Sequence, residues 1–496
     1  ELYLTVKLLW EELWKLPGNI PLIASELLHA NLTYHLPDDI SKSLLVLLAA
    51  NIRKIALVPT SRQLVMLKLA SVFNHTHIID KEYQVQEFDV RGVDFCKNVN
   101  TLQLLLPMCV HLTVLKLGCN TTPQTLEAVK CCPLKELSIT ERQAHNPRVP
   151  SEYLLNVLLG TSYTNATAIL QSMRDGENVD INPTWPNLFN LSLGYCRVNQ
   201  DFVIVLLIFL KKLKYVESSI VRKGTCLWQY YELKKEMNEL PKLALEDFYL
   251  VELSPKYVHM LSCITPNLVK LYFFSCDVRG LGMSVMDAFQ NLSENLKYLK
   301  ELTIYNVRHI CPGEPPLDIF SSIGKGIKTL ILDGCIVQSV DLEDMGNILN
   351  FFPSVENLKL FFRVGLHCMQ QCPPKIHCFP SVTSLTVRTP KVHEGTFPYM
   401  FQMFPNIQKL TLMDHKSEFS DTYSLGILSD LRVMKFSDIN GISVSELMKV
   451  PFATQDRRCW ELHMPAKSLP EEDIKRLVCS GWNFFPISEY VFDLSL

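Results

Sequence analysis

The sequence predicts an α/β solenoid in which short parallel strands stack side by side and each is followed by a helical return. Three observations carry this. An apolar triplet recurs: Leu, two residues, Leu, one residue, Leu. Its copies follow one another at a near-regular period. A Cys or Asn then falls at one fixed place after the triplet.

The triplet is clearest in four copies. Pro186-Asn187-Leu188 leads into Leu191 and Leu193, and Pro266-Asn267-Leu268 into Leu271 and Phe273. Ile327 leads into Leu330 and Leu332, and Pro405-Asn406-Ile407 into Leu410 and Leu412. Weaker copies start at Val85, Leu112, Leu134, Leu213, Leu245, Leu299, Val355, Val382, Leu431 and Cys459. Neighbouring starts are mostly 22 to 32 residues apart, and the interval from Leu134 to Leu188 is 54, which fits a degenerate repeat or an inserted loop. In a strand, alternate side chains face opposite sides, so the triplet points inward and the residues between it face solvent. Two segments read as helical returns: Gln200–Leu213, long, apolar and free of Gly and Pro, and Thr122–Val129, with Thr121 or Thr122 as N-cap. One such unit cannot bury its own apolar face, whereas stacked units bury a continuous one.

The place after the triplet is taken by Asn120, Cys196, Cys276 and Cys335. With these residues the sequence resembles the leucine-rich-repeat family over roughly residues 83–465, in its cysteine-containing intracellular type. The resemblance implies a curved horseshoe, with parallel strands on the concave face and helices outside. It also implies that Cys196, Cys276 and Cys335 are buried, reduced and structural. A reducing, cytoplasmic or nuclear setting follows as an expectation.

Residues 1–80 read instead as helices, at Leu4–Lys15, Pro21–Asn31, Ile40–Ile52 and Ser61–Phe73, and form the expected N-terminal cap or adaptor-binding region. Repeats are expected over 81–470. Over 471–496, Trp482, Phe484, Phe485, Tyr490 and Phe492 suggest an aromatic cap. Two short motifs share one shape: Leu16-Pro17-Gly18-Asn19-Ile20 with Ala24, and Leu36-Pro37-Asp38-Asp39-Ile40 with Leu44. They resemble the cullin-contacting motif of elongin-binding receptors in cullin-RING ubiquitin ligases, whose elongin-binding helix would begin here at Leu2. Val6 stands where those receptors usually carry a cysteine, and Trp10 where they carry a smaller aliphatic. The Trp-containing end of an F-box, the Skp-binding alternative, is not found. The resemblance implies a substrate-recognition subunit, with an elongin or Skp-type adaptor and cullin contacted through residues 1–80.

Composition narrows the classes further. The net charge of -3 lacks the basic excess expected of a nucleic-acid binder. With 19 glycines in 496 residues, glycine stands well under the usual share of roughly 7%, against an enzyme built on phosphate loops. The longest apolar run, Phe202–Leu210, ends at Lys211 and Lys212, short of the ~20 residues of a membrane helix. The run Leu2–Trp10 carries no small-residue cleavage site and does not read as a signal peptide, although Glu1 is no initiator Met and something upstream is open. Gly324-Lys325-Gly326 lacks the rest of a phosphate loop and reads as a turn. No Gly-x-Ser-x-Gly elbow or nucleophile–base pair is found. The cluster His367, Cys368, Cys372, His377 and Cys378 is too tight for paired zinc ligands and reads as structural or surface residues. Cys131-Cys132 reads as a pair of core thiols. No catalytic residue, cofactor or metal is therefore expected.

The residue between the second and third apolar positions should line the concave face. Down the stack this column reads Asp89, Lys116, Ser138, Ser192, Tyr249, Tyr272, Thr303, Ile331, Lys359, Thr386, Thr411, Lys435 and His463. A protein partner is expected there, with the neighbouring Tyr249 and Tyr272 as its anchors. Six glycosylation sequons, at Asn31, Asn74, Asn120, Asn165, Asn190 and Asn291, support an alternative, an extracellular recognition ectodomain. A wrapping inhibitor of an enzyme is a further alternative, since fold does not fix function.

Overall fold

A computed structural model describes residues 54–56, 85–90, 106, 109–118, 121–139, 149–161, 165–194, 196, 198–217, 225–237, 242–250, 255–273, 294–305, 323–335, 340–362, 366–367, 377–389, 396–413, 428, 430–437, 461–465, 472, 475 and 483–487. The chain divides into two units, Glu1–Asp247 and Phe248–Leu496. Both are built from all-parallel sheets with helices in the connections.

The first unit holds a six-stranded sheet in chain order: β1 (Lys54–Ala56), β2 (Glu87–Val90), β3 (Val114–Leu117), β4 (Glu136–Ile139), β5 (Asn190–Ser192) and β6 (Tyr215–Glu217). The second sheet has ten strands. They are β7 (Asp247–Leu250), β8 (Lys270–Phe273), β9 (Glu301–Tyr305), β10 (Thr329–Cys335), β12 (Asn357–Phe362), β14 (Ser384–Arg388), β15 (Lys409–Met413), β16 (Val433–Ser437), β17 (Glu461–Pro465) and β18 (Asn483–Ile487). Two short strands, β11 (Val340–Asp341) and β13 (Leu366–His367), pair in parallel as a separate ribbon.

Every start read from the sequence is followed, two residues on, by the first residue of a strand. The reason is visible in the burial pattern. In β12, Leu358, Leu360 and Phe362 are buried while Lys359 and Phe361 are only partly covered. The first apolar residue of each triplet lies before its strand and is buried too, as at Leu112, Ile327, Val382 and Ile407. A single backbone chain then ties coil to coil just ahead of the strands. The Gln408 N–H donates to the Thr383 carbonyl at 2.7 Å, Thr383 N–H to Glu356 at 2.9 Å, and Glu356 N–H to Lys328 at 2.9 Å. The same chain runs in the first unit from Glu246 through Lys214, Phe189, Lys135 and Thr113 to Gln86. Backbone groups of one coil are thus satisfied by the next, which is what lets such coils be buried.

The 54-residue interval hides no strand among its described residues. Strand β4 pairs directly with β5, and the Phe189 N–H donates to the Lys135 carbonyl at 2.9 Å. The extra length contains helices α2 (Ser151–Leu159) and α3 (Ala166–Arg174). The helical returns are found where expected, with shorter ends. Helix α1 (Pro123–Ala128) is capped by Thr122, whose hydroxyl accepts from the Thr125 N–H. Helix α4 (Gln200–Phe209) stops before the expected Leu213, after Asn199 caps its start. Its residues Phe202–Ile208 are buried all round because α4 packs against α2, α3 and α5 (Thr225–Glu236). The second unit carries α6 (Pro255–Ile264), α7 (Leu342–Leu349) and α8 (Thr396–Met403).

Both ends of the array extend beyond its expected limits. Strand β1 lies inside residues 1–80 and pairs in register with β2, Ile55 beside Phe88. Its source, Ile52 leading into Ile55 and Leu57, is another copy of the triplet. Strand β18 lies inside 471–496 and pairs with β17, Phe484 beside Leu462 in register. The four helices expected in 1–80 lie outside the described residues.

Candidate functional site

Parallel pairing, in register except past Asp333 on β10, carries the alternation of each strand to its neighbours, so outward residues form rows across a sheet. In the second unit the middle row runs Tyr272, Thr303, Ile331, Lys359, Thr386, Thr411, Lys435 and His463, each the direct partner of the next. Tyr249 precedes it on the adjoining β7. The Tyr249 and Tyr272 rings stack, with centroids 4.2 Å apart and planes 11° from parallel. Both are half-buried. A stacked, partly covered pair is already ordered, so it presents a rigid apolar surface at small entropy cost.

Two expected contact residues are less accessible than their register implies. Ser192 is 6% exposed, and its hydroxyl donates to the Glu217 carboxylate at 2.6 Å. Thr303 is 0% exposed, and its Oγ1 has no hydrogen-bond partner. Its row neighbours are the larger Tyr272 and Ile331, so a short side chain between them is the one to lose solvent. A buried, unpaired hydroxyl carries a desolvation cost with no return. Thr303→Val, which replaces it by a methyl of similar shape, is expected to raise stability by about 1 kcal/mol in chemical denaturation.

The remaining expected contacts, Lys116, Lys359, Thr386, Thr411 and Lys435, are partly exposed. The rows on either side of the middle one add residues that the sequence reading left out, Lys409 on β15 and Arg388 on β14, both exposed. The same alternation would have found them two positions along each strand. In the first unit the charged outward residues are mostly acidic: Glu87, Asp89, Glu136 and Glu217. Lys116 is matched there by Glu87, 3.0 Å away.

Cys196, the ladder residue that can be checked, is 8% exposed, carries a free thiol, and donates its N–H to the Leu193 carbonyl at 2.6 Å. Asn120 and Cys276 lie outside the described residues, and Cys335 closes β10 with its side chain outside them. Stacked triplets, parallel register, coil-to-coil carbonyl chain and a buried turn thiol together decide the architecture. This is a leucine-rich-repeat fold.

No family model matches the chain, and no curated protein matches it. Among solved structures it is similar to TLR13 in a complex with ssRNA13, at 14% identity and TM-score 0.31 over 85% of this chain. It spans only 62% of that chain's length. A leucine-rich-repeat protein of Leptospira interrogans matches at 11% identity and TM-score 0.33, covering 89% of this chain and 97% of its own. The leucine-rich-repeat protein LegL7 of Legionella pneumophila matches at 13% identity and TM-score 0.33, over 59% and 88%. At such scores overall shapes differ, so the leucine-rich-repeat assignment stands on the repeat geometry of this chain itself.

The leucine-rich-repeat core also holds thiols. Burial first, and then the nearby Cys131, pushes Cys109 up to about 12, and burial pushes Cys226 up to about 12. Such thiols stay protonated and are poor nucleophiles. The adjacent pair divides: Cys132 is buried and donates to the Leu106 carbonyl, whereas Cys131 is exposed, which corrects the reading of both as core. Within the His367–Cys378 cluster, His367 lies in β13, Cys378 is exposed, and His377 Nδ1 meets the Asn350 amide at 3.2 Å. Cys368 and Cys372 lie outside the described residues. No group of three or more metal-ligating residues occurs among the described residues. Among the described residues no helix is long and apolar enough to cross a membrane. The adaptor-binding candidates Leu2, Val6, Leu16, Pro17, Ile20, Leu36, Pro37 and Ile40 lie outside the described residues.

Proposed function

We propose that this chain is a non-enzymatic scaffold that holds a protein partner on the outward face of its parallel strands. The stacked Tyr249–Tyr272 pair supports this most directly. Tyrosine is enriched among the anchors of protein interfaces, and a pair ordered before contact loses little entropy on binding. The finer form of the proposal makes the chain the substrate-recognition subunit of a cullin-RING ubiquitin ligase in the cytoplasm or nucleus. The Leu16-Pro17 and Leu36-Pro37 motifs support that form, through their likeness to elongin-binding receptors.

Affinity purification with mass spectrometry separates the two levels. Tyr249→Ala/Tyr272→Ala is expected to weaken the principal captured partner by roughly 30-fold or more, the effect of losing about 2 kcal/mol at a contact centre. Unchanged affinity would reject the Tyr pair as that centre. Leu16→Asp/Leu36→Asp should release an elongin or Skp-type adaptor and cullin while the partner on the strand face is kept. Absence of any such adaptor from the unaltered chain would sink the ligase reading. Point substitutions are preferable to removal of residues 1–80, because β1 belongs to the sheet.

A second reading, a recognition ectodomain, is favoured by one observation. The sequon residue Asn165 is exposed, and its side-chain oxygen caps α3 by accepting from the Thr167 N–H at 2.9 Å. A glycosidase-sensitive mass at Asn165 would replace the intracellular setting by this one.

A further inference from the structure

The outward face of the second unit changes character along its length. From β12 to β16 its outward residues include Lys359, Arg388, Lys409 and Lys435, and no carboxylate is among them. Lys359, Lys409 and Lys435 form no ion pair among the described residues. Elsewhere lysines at strand starts are matched: Lys328 meets Glu356 at 2.6 Å, and Lys270 meets Glu301 at 3.6 Å. Between Lys359 and Lys435 the middle row carries only the hydroxyls of Thr386 and Thr411. The lysines therefore gather positive charge that is unmatched among the described residues, in a chain whose net charge is -3.

Resting on the reading of this face as a binding surface, we propose that the row from Lys359 to Lys435 takes an extended acidic segment of a partner protein, laid across the strands with carboxylates four residues apart. The spacing follows from backbone dimensions. Three strand-to-strand steps of about 4.8 Å separate Lys359 from Lys435, or about 14 Å. Residues four apart in an extended chain lie about 13.5 Å apart and share one face. The two carboxylates then meet the two ammonium groups, and the threonine hydroxyls meet the backbone or polar side chains between them. Single-stranded nucleic acid is less suited to this row, because bases need aromatic stacking platforms and none stands between the lysines.

The test titrates the full chain into a fluorescein-labelled peptide with glutamate at every fourth position in a Ser/Gly background, read by anisotropy. Saturable binding that weakens with salt is expected, with tighter binding than to the same peptide with its glutamates contiguous. Lys359→Glu/Lys435→Glu should weaken it at least ~10-fold, and the milder Lys359→Gln/Lys435→Gln in the same direction. Circular dichroism shows that each variant is folded. Lys325→Gln, at an exposed lysine off the row, should leave peptide affinity unchanged, and the scaffold reading is judged separately by partner capture with Tyr249→Ala/Tyr272→Ala. No binding, binding indifferent to both lysine variants, or tighter lysine-dependent binding of oligouridine would overturn the proposal.

Discussion

Truncation of Leu385 to alanine is expected to cost the second unit about 3 kcal/mol of stability and to loosen the strands on both sides of β14. Leu385 is fully buried, and its register partners are Leu358 on β12 and Leu410 on β15, both buried as well. Removing its methyl groups loses their transfer free energy and leaves a cavity between two neighbours that the backbone ladder holds in place. In a stacked array each coil contacts chiefly the next, so the damage should be graded with distance. Hydrogen exchange would check this. Protection should fall most at β12, β14 and β15 and least at β7, and uniform loss along the sheet would reject the graded picture.

Gly324→Ala is expected to cost about 2 to 3 kcal/mol, while Gly326→Ala, two residues away, should stay within about 0.5 kcal/mol. A Cβ on Gly324 would enter the Phe351 carbonyl and come within 3.0 Å of the Phe352 ring. Neither can give way. Phe351 belongs to the backbone of the following coil, and Phe352 is among the largest fully buried side chains. The added methyl must therefore push one coil from the next. A Cβ on Gly326 would stand 3.6 Å from the Leu299 carbonyl, an ordinary contact. Parallel urea titrations compare the two, and equal midpoints would show that the coils separate at little cost. The sequence alone points to no such difference, since both glycines of Gly324-Lys325-Gly326 read simply as a turn.

The accessible part of the proposed site follows the same division. Lys359, Thr386, Thr411 and Lys435 are read straight from the triplet, because outward positions alternate with apolar ones that cannot face water. That Tyr249 and Tyr272 stack needed their strands placed as neighbours. That Thr303 loses all its exposure depends on which residues flank it across strands more than twenty-five positions away in sequence. That Lys359, Lys409 and Lys435 form no ion pair among the described residues likewise depends on which carboxylates the register brings close. Any one strand carries only a fraction of that row.

What this sequence determined by itself is its period, its strand starts and the inward and outward faces. All three follow from local apolar patterning, repeated often enough to outweigh weak copies. The tertiary structure alone decided where the array ends and how the long interval is filled. Ile52, Ile55 and Leu57 look ordinary until β1 is seen paired with β2, and Phe484 reads as a plug until β18 joins β17. It also decided that α2 and α3, with no strand between them among the described residues, occupy the interval that separates β4 from β5. The physical reason is one: a strand is defined by hydrogen bonds to another segment, and no residue carries the identity of its partner.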